Sequence, residues 1–383
     1  MVGGGQLARM TCQAAIALGV DFRILVGSAS DSAAQIWSAV TLGDYRSLSD
    51  VASFAAGCDV LTFDHEHVPG DVLSDLRTAG VVLRPGPDAL RYTQDKLAMR
   101  DRLSALGLPC PRYTAIKNLA DIEAFGSWPV VLKAVSGGYD GKGVWVCSSA
   151  GEARDVLSHS IELMVEEFVP FERELAVLAA RSPHKQGAVY PVVQTVQQDG
   201  ICREVIAPAP GLDGMRAALA QELALRIAAE LDVTGLLAVE FFDTGDGLLI
   251  NELAMRPHNC GHWTIDGART SQFEQHLRAV LDLPLGSTDL SAPVTVMANV
   301  LGGSSASASA AASTSAGAAG DVYDRYTHVM AADPGVKVHM YGKEPRPGRK
   351  IGHVTVSGGD VRRVRERARR AASFLRWGTE DGE

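Results

Sequence analysis

The chain has 383 residues, 46% hydrophobic and 21% charged, with a formal net charge of −9. Such a length predicts two or three domains around a real core, and the acidic balance argues against nucleic acid as a partner, because a phosphate backbone demands a basic surface. No run approaches the roughly 20 apolar residues of a membrane span and no signal-peptide pattern opens the chain. Six cysteines without a CxxC pair argue against a disulfide framework and favour a reducing cytosol.

The predicted elements begin with an alternation. Gln6–Leu18 has helical periodicity, residues 22–26 ("FRILV") read as a strand, 58–64 ("CDVLTFD") as a buried strand and 81–85 as another. Strands alternating with helices predict a parallel sheet over residues 1–90. Only Met1 and Val2 precede the glycine turn at Gly3, so the strand that should feed it is nearly missing; either the chain starts late or its beginning lies outside this sequence. "GGGQLA" matches the G-x-G-x-x-A dinucleotide pattern, yet no acid closes the second strand, which leaves a generic anion site at a helix N-terminus.

A helix over 94–106, stopped by Gly107, Pro109 and Pro111, leads into a small α+β unit. Its order is strand 129–135, glycine loop 136–143, strand "GVWVC", helix 152–157 and strand "ELMVEEFV". Strands at 174–180 and 188–197 follow, then an amphipathic helix over 215–230 and the hairpin "LLAVEFF", "DTGDG", "LLINELA". Residues 302–320 hold only Gly, Ala, Ser and Thr and read as a disordered surface insertion. Strand character resumes in "VKVHMYGKEPRPGRKIGHVTV". Residues 361–375 form an arginine-rich helix whose arginines read as a solvated or subunit-packing face.

Three stretches carry chemistry. The loop "SGGYDGKGV" is not a P-loop, since no Ser or Thr follows Lys142, but its amides and lysine suit a lid over polyphosphate. In the hairpin, a turn centred on Asp246 sets Glu240 opposite Glu252. Like charges facing across a sheet destabilise it unless a cation such as Mg²⁺ lies between them, and Asn251 adds a neutral oxygen; a register shift would instead leave both solvated. "MRPHNCGHWT" gathers Arg256, His258, Asn259 and His262. Zinc on His258, Cys260 and His262 lacks a fourth ligand, so a polar, anionic substrate fits better. "DHEHV" at 64–68 ends a buried strand, where parallel sheets bind ligands.

In this order the pieces resemble the ATP-grasp superfamily, and within it the purine-pathway family of N5-carboxyaminoimidazole ribonucleotide synthetases. The carriers are "GGGQLARM", "FDHEHV", "TQDKLAMR", "SGGYDGKGV", "VEEFVPFERELAV", "NELAMRPHNCGHWT", "SQFEQHLRAV" and "YGKEPRPGRKIGHVTV". The resemblance implies a multidomain α/β and α+β chain. It would comprise an N-terminal parallel-sheet domain (1–90), an ATP-grasp domain (91–290) with a lid at about 112–168, and a small C-terminal domain (291–383). It implies ATP, Mg²⁺ and bicarbonate as reactants or cofactor, aminoimidazole ribonucleotide as substrate, a carboxyphosphate intermediate, a homodimer and a cytoplasmic setting.

Residue by residue, the resemblance makes Lys96 and Lys133 phosphate contacts, and Ser136, Gly137, Gly138, Tyr139, Gly141, Lys142 and Gly143 the lid. Glu166, Glu167, Phe168 and Val169 become the adenine hinge and Glu174 the ribose contact, with Gln194, Asn251 and Glu252 also at the nucleotide. Glu240 and Glu252 become the metal ligands, in agreement with the hairpin argument. The ribonucleotide falls to Glu66, Tyr139, Asp140, Arg256, His258, Asn259 and Cys260, with Lys343, Arg349 and Lys350. Asp140, Lys142 and Arg256 are the catalytic expectations, Asp140 orienting the amine or taking its proton. Met255 and Cys260 depart from the family's usual proline and serine, and Gln194 and Gln197 from its histidine or acids. The rivals are a formate-dependent glycinamide ribonucleotide ligase, an inactive nucleotide sensor and a Rossmann oxidoreductase.

Overall fold

Helix α1 (Gln6–Leu18) starts behind three glycines because the chain's own Asp64 closes its N-terminus. The Gly5 N–H donates to Asp64 Oδ2 at 2.6 Å. A Cβ on Gly3, where φ is +108°, would lie 1.6 Å from Asp64 Oδ1, so only glycine fits. The anion site read from "GGGQLA" is thus filled from within. β1 (Ile24–Val26) pairs in parallel with β2 (Val40–Leu42), Val2 bridges in parallel to both Leu25 and Phe63, and Leu61 bridges to Leu83. The expected parallel layer is present, with its inner members reduced to single bridges. Helices α2 (Leu48–Ala55), α3 (Gly70–Thr78) and α4 (Pro87–Gln94) cover it, burying Phe54, Leu61, Phe63, Leu73 and Leu76 in one core.

The structure, a computed structural model, describes residues 1–138, 141–302 and 322–379; Tyr139, Asp140 and the 303–320 part of the expected insertion lie outside them. Where one helix was expected over 94–106, the chain breaks at Asp95. Its carboxylate accepts from the Ala98 N–H at 2.9 Å and starts a separate helix, α5 (Lys96–Ala105). The break sets Lys96 and Arg100 one turn apart on the same side.

The segment expected to act as a lid, and here called the lid, folds as a four-stranded antiparallel sheet in the order β3 (Tyr113–Ile116), β6 (Leu163–Glu167), β4 (Val130–Ala134), β5 (Val144–Cys147). It is backed by α6 (Leu119–Phe125) and α7 (Ala150–Leu157), with Ile122, Leu132, Val156 and Val165 in its own core. The large sheet is built from β7 (Arg173–Arg181), β8 (Gly187–Val189), β9 (Val193–Gln198), β10 (Ile201–Ala207), β11 (Gly235–Asp243) and β12 (Leu248–Ala254), then β13 (Val294–Leu301), β14 (Lys337–Met340) and β15 (Lys350–Gly358). Its path runs β12-β11-β7-β9-β10-β13-β15-β14, with β8 paired to β7. The last three strands therefore extend the same sheet. The strand expected over 188–197 is two strands, since Pro191 between them has no N–H to give a ladder.

α8 (Gly214–Glu230) lays Ala220, Leu223, Ala224 and Ile227 on this sheet. Short α9 (Thr264–Gly267) and α10 (Gln272–Val280) follow the hairpin, and α11 (Tyr326–Ala332) precedes β14. α12 (Val361–Trp377) buries Val364, Ala368, Ala371 and Leu375, the 3.6-residue stripe its sequence carries. Arg365 and Arg369 on it each donate to the buried Glu204 at 2.6 Å. Among the described residues no helix is long and apolar enough to cross a membrane.

Candidate active site

A cleft of about 990 Å³ opens between the lid, the large sheet and the loops of the N-terminal region. One end is apolar. Val131, Val144 and Val146 come from the lid, Phe168 and Phe171 from the segment leaving β6, and Leu253 from β12. Val146 is 55% and Phe168 44% exposed. Large side chains left open inside a concavity mark a binding slot for a flat apolar group.

The floor is charged, and α5 organises it. Lys96 Nζ sits 2.5 Å from Glu252 Oε1. One turn later the fully buried Arg100 holds Glu166 Oε1 at 2.6 Å, while Glu166 Oε2 lies 2.6 Å from Lys133 Nζ. Arg100 also donates to the carbonyls of Ile250 (3.1 Å) and Asn251 (2.7 Å), and Lys133 to Asn251 Oδ1 (3.1 Å). Burial would raise the Glu166 carboxyl, but Lys133 and Arg100 together hold it below its usual value. Burial pushes the Lys133 ammonium down, only partly offset by Glu166. Sequence reading missed Arg100; its signal was the four-residue step from Lys96 in "TQDKLAMR".

Glu240 of β11 pairs with Glu252 of β12 across a register shift between Glu240 and Phe241. Burial, then Glu252 and Glu174, pushes the Glu240 carboxyl up to about 8. Burial alone takes Glu174 to about 7. Burial would raise Glu252 too, yet Lys96 and Lys133 outweigh it and hold Glu252 below its ordinary value. A buried carboxylate pair that resists carrying both charges is a place for a cation, and its hard oxygens, with Asn251 beside them, suit a divalent ion. No group of three or more His, Cys, Asp or Glu capable of holding a metal occurs among the described residues, so further ligands would come from a bound molecule.

The far end is polar. Arg256 Nε donates to Glu66 Oε2 at 2.7 Å and the Met255 N–H to Glu66 Oε1 at 3.2 Å. Gln94 fixes that loop by donating to the carbonyls of Glu66 and Val68. His258 Nδ1 lies 3.9 Å from Glu240 Oε1 and 3.1 Å from Cys260 Sγ, and burial pushes the Cys260 thiol well up. His262 turns away, its Nδ1 2.9 Å from Gln272 Nε2, so the three residues of the zinc reading do not converge. Met255 packs fully buried in the core.

The structure places most of the expected residues on this cleft wall: Lys96 and Lys133; Ser136, Gly137, Gly138 and Gly141; 166–169, Glu174, Asn251 and Glu252; Glu240; and Glu66, Arg256, His258, Asn259, Cys260 and Lys350. It places others elsewhere. Gln194 is off the wall because strand alternation sends Thr195 and Gln197 to the cleft instead. Arg349 is exposed and donates to the Glu344 carbonyl at 3.3 Å. Lys343 stands behind the wall, bonded to Gln6 Oε1. Lys142 and Gly143 belong to the loop but not to the wall. Asn259 exchanges amide hydrogen bonds with Asn299 at 2.8 and 3.0 Å, which engages both ends of its side chain.

A lid sheet closing on a larger antiparallel sheet, with lysines and paired carboxylates between, defines an ATP-grasp protein, and the ATP-grasp domain model matches residues 101–273. The ribonucleotide synthetase preATP-grasp model matches 1–94 and the phosphoribosylaminoimidazole carboxylase C-terminal model 295–367. The chain belongs to the N5-carboxyaminoimidazole ribonucleotide synthase family. It is 55% identical to the Mycobacterium tuberculosis (strain ATCC 25618 / H37Rv) enzyme of that name over 99% of this chain and 87% of the relative, and 47% identical to that of Corynebacterium ammoniagenes over 98% and 91%. Among solved structures it is similar to the Thermus thermophilus synthetase (35% identity, TM-score 0.84, 98% of both chains). It also matches the Aspergillus clavatus enzyme in complex with ADP and 5-aminoimidazole ribonucleotide (28%, TM-score 0.85, 98% of both).

Proposed function

We propose that the chain joins bicarbonate to the exocyclic amine of 5-aminoimidazole ribonucleotide at the expense of ATP, giving N5-carboxyaminoimidazole ribonucleotide, ADP and phosphate. The observation that carries this reading is the joining of two half-sites in one cleft: an apolar slot above Lys96, Lys133 and the Glu240–Glu252 pair, and, next to it, Glu66–Arg256 with His258.

Adenine lies in the slot formed by Val131, Val146 and Phe168, with Glu174 at the ribose. Lys96 and Lys133 meet the phosphates, and the 136–143 loop closes over them. Glu240, Glu252 and Asn251 would hold Mg²⁺, which when bound neutralises phosphate charge. A bicarbonate oxygen attacks the γ-phosphorus in line, the bond to the β-phosphate oxygen breaks, and ADP leaves. The resulting carboxyphosphate is destroyed by water, so lid closure has to exclude solvent. The amine nitrogen then bonds to the carboxyl carbon, phosphate departs and the nitrogen loses a proton. Glu66, Arg256, His258 and Lys350 hold the ribonucleotide for that step, Arg256 through the fork that suits an anion.

The scattered spacing of the six cysteines, without a CxxC pair, supports a reducing cytosol. The family resemblance supports a homodimer. The test is turnover of ¹⁸O-labelled bicarbonate: label should appear in the phosphate released. Unlabelled phosphate from a working enzyme would sink the carboxyphosphate route.

A further inference from the structure

The motif "SQFEQHLRAV" places a wholly buried glutamine, Gln272, at the first position of α10, and nothing in the reaction above uses it. Its side-chain amide grips one residue of the cleft loop from both sides. Gln272 Oε1 accepts the His258 N–H at 2.8 Å, and Gln272 Nε2 donates to the His258 carbonyl at 2.8 Å. That double bond pattern fixes which end of the amide is oxygen. The second Nε2 hydrogen therefore points at His262 Nδ1, 2.9 Å away, which must accept it. His262 is then the tautomer with its proton on Nε2, an atom that is buried without a partner among the described residues. Burial holds this ring neutral, far below its usual pKa.

The backbone of Gln272 completes the support. Its N–H donates to Thr264 Oγ1 at 2.8 Å, and that hydroxyl donates to the Gly261 carbonyl at 2.6 Å. Fit at this joint is tight, since a Cβ on Gly261 would lie 2.5 Å from Gln272 Oε1. One buried residue thus braces 258, 261 and 262, while the His258 ring and Cys260 face the cleft.

We propose that Gln272 is a positioning residue for the ribonucleotide, acting through the backbone of His258. The inference rests on the reading of 256–260 as the ribonucleotide end. α10 supplies its own control. Gln275, equally buried, clamps Gly286 in the same manner, accepting its N–H at 2.7 Å and donating to its carbonyl at 2.8 Å, but Gly286 lies off the cleft.

The experiment compares steady-state kinetics of Gln272→Met and Gln275→Met. Both keep side-chain volume and both strip a half-buried backbone N–H and C=O of their partners. Gln272→Met should raise KM for 5-aminoimidazole ribonucleotide about tenfold or more, because small misplacements of positioning groups are costly, and leave KM for ATP within about twofold. Gln275→Met should leave both within about twofold. Equal effects of the two variants, or an unchanged ribonucleotide KM in Gln272→Met, would overturn the proposal. Should Gln272→Met not fold, Gln272→Glu serves. It keeps the acceptor for the His258 N–H and regains the donor only when protonated, so its ribonucleotide KM relative to the parent should fall as pH falls; a pH-independent ratio counts against the clamp. A parent enzyme indifferent to the ribonucleotide would take the functional reading and this inference down together, whereas an active parent with a silent Gln272→Met removes the inference alone.

Discussion

Glu240 stands opposite Glu252 because β12 carries one extra residue between them. Phe241 pairs with Ile250, so an unbroken ladder would bring Asn251 opposite Glu240; the register shift brings Glu252 there instead. The same bulge leaves Asn251 free to turn its Oδ1 to Lys133 and its carbonyl to Arg100. One backbone irregularity therefore aligns the carboxylate pair and ties it, through Asn251, to Lys133 and Arg100.

The pair makes the nucleotide-free protein pH-sensitive. Glu240 and Glu174 have folded-state values raised to about 8 and about 7. Between the ordinary carboxylate value and these, the folded state binds more protons than the unfolded one, so their contribution to stability falls as pH rises through that window. Melting temperatures of the parent and Glu240→Gln without nucleotide should diverge from pH 5 to pH 8, the variant gaining relative stability at the upper end. A constant difference would contradict the buried-pair account. Glu240→Gln should also lose at least about a hundredfold in kcat, of the order seen when one charge-stabilising group is removed.

Arg100 does not line the cleft itself but holds two residues that do, Glu166 and Asn251. Arg100→Ala leaves Glu166 buried with Lys133 as its only cation among the described residues, and leaves the Ile250 and Asn251 carbonyls short of a donor. Breaking a buried pair in this way costs about 3–5 kcal/mol, which chemical denaturation measures directly. A loss under about 1 kcal/mol would mean water replaces the guanidinium.

The lid tip meets the β9–β10 turn. Gly141 has φ +74° and lies so close to Gly200 that a Cβ there would come within 3.0 Å of the Gly200 Cα. Gly141→Ala strains this arrangement by about 1–2 kcal/mol. It should raise KM for ATP about fivefold or more, with little change in melting temperature, because the loop adds little to the core.

At the polar end, Arg256→Lys keeps charge but loses the planar guanidinium, whose Nε meets Glu66 and whose Nη1 meets the Pro257 carbonyl. KM for the ribonucleotide should rise about tenfold, of the order a charged hydrogen bond contributes, while ATP affinity stays level.

Legibility followed locality. Helix α8, the hairpin and the strand–loop–strand of the lid were readable because periodicity and turn residues are local signals. The Glu240–Glu252 pairing was anticipated from a turn centred on Asp246, although the two ends of the ladder follow different registers and only the bulge reconciles them. The split of 188–197 turns on Pro191 alone, whose missing N–H outweighs the apolar run around it. The partners of Arg100, Asn299 and Gln272 are not legible for a different reason: they lie 66, 40 and 14 residues away in sequence, and a buried polar residue looks like a surface one until the fold brings its partner near. Gln194 was assigned one position away from the residues that face the cleft, a slip that period-two alternation turns into the opposite face.

The measurement that bears most directly on the central claim is ADP release from MgATP, with 5-aminoimidazole ribonucleotide and bicarbonate each supplied or withheld. The account predicts release that requires the ribonucleotide and falls when bicarbonate is stripped from the buffer. Release that ignores the ribonucleotide, or that follows formate instead of bicarbonate, would contradict it.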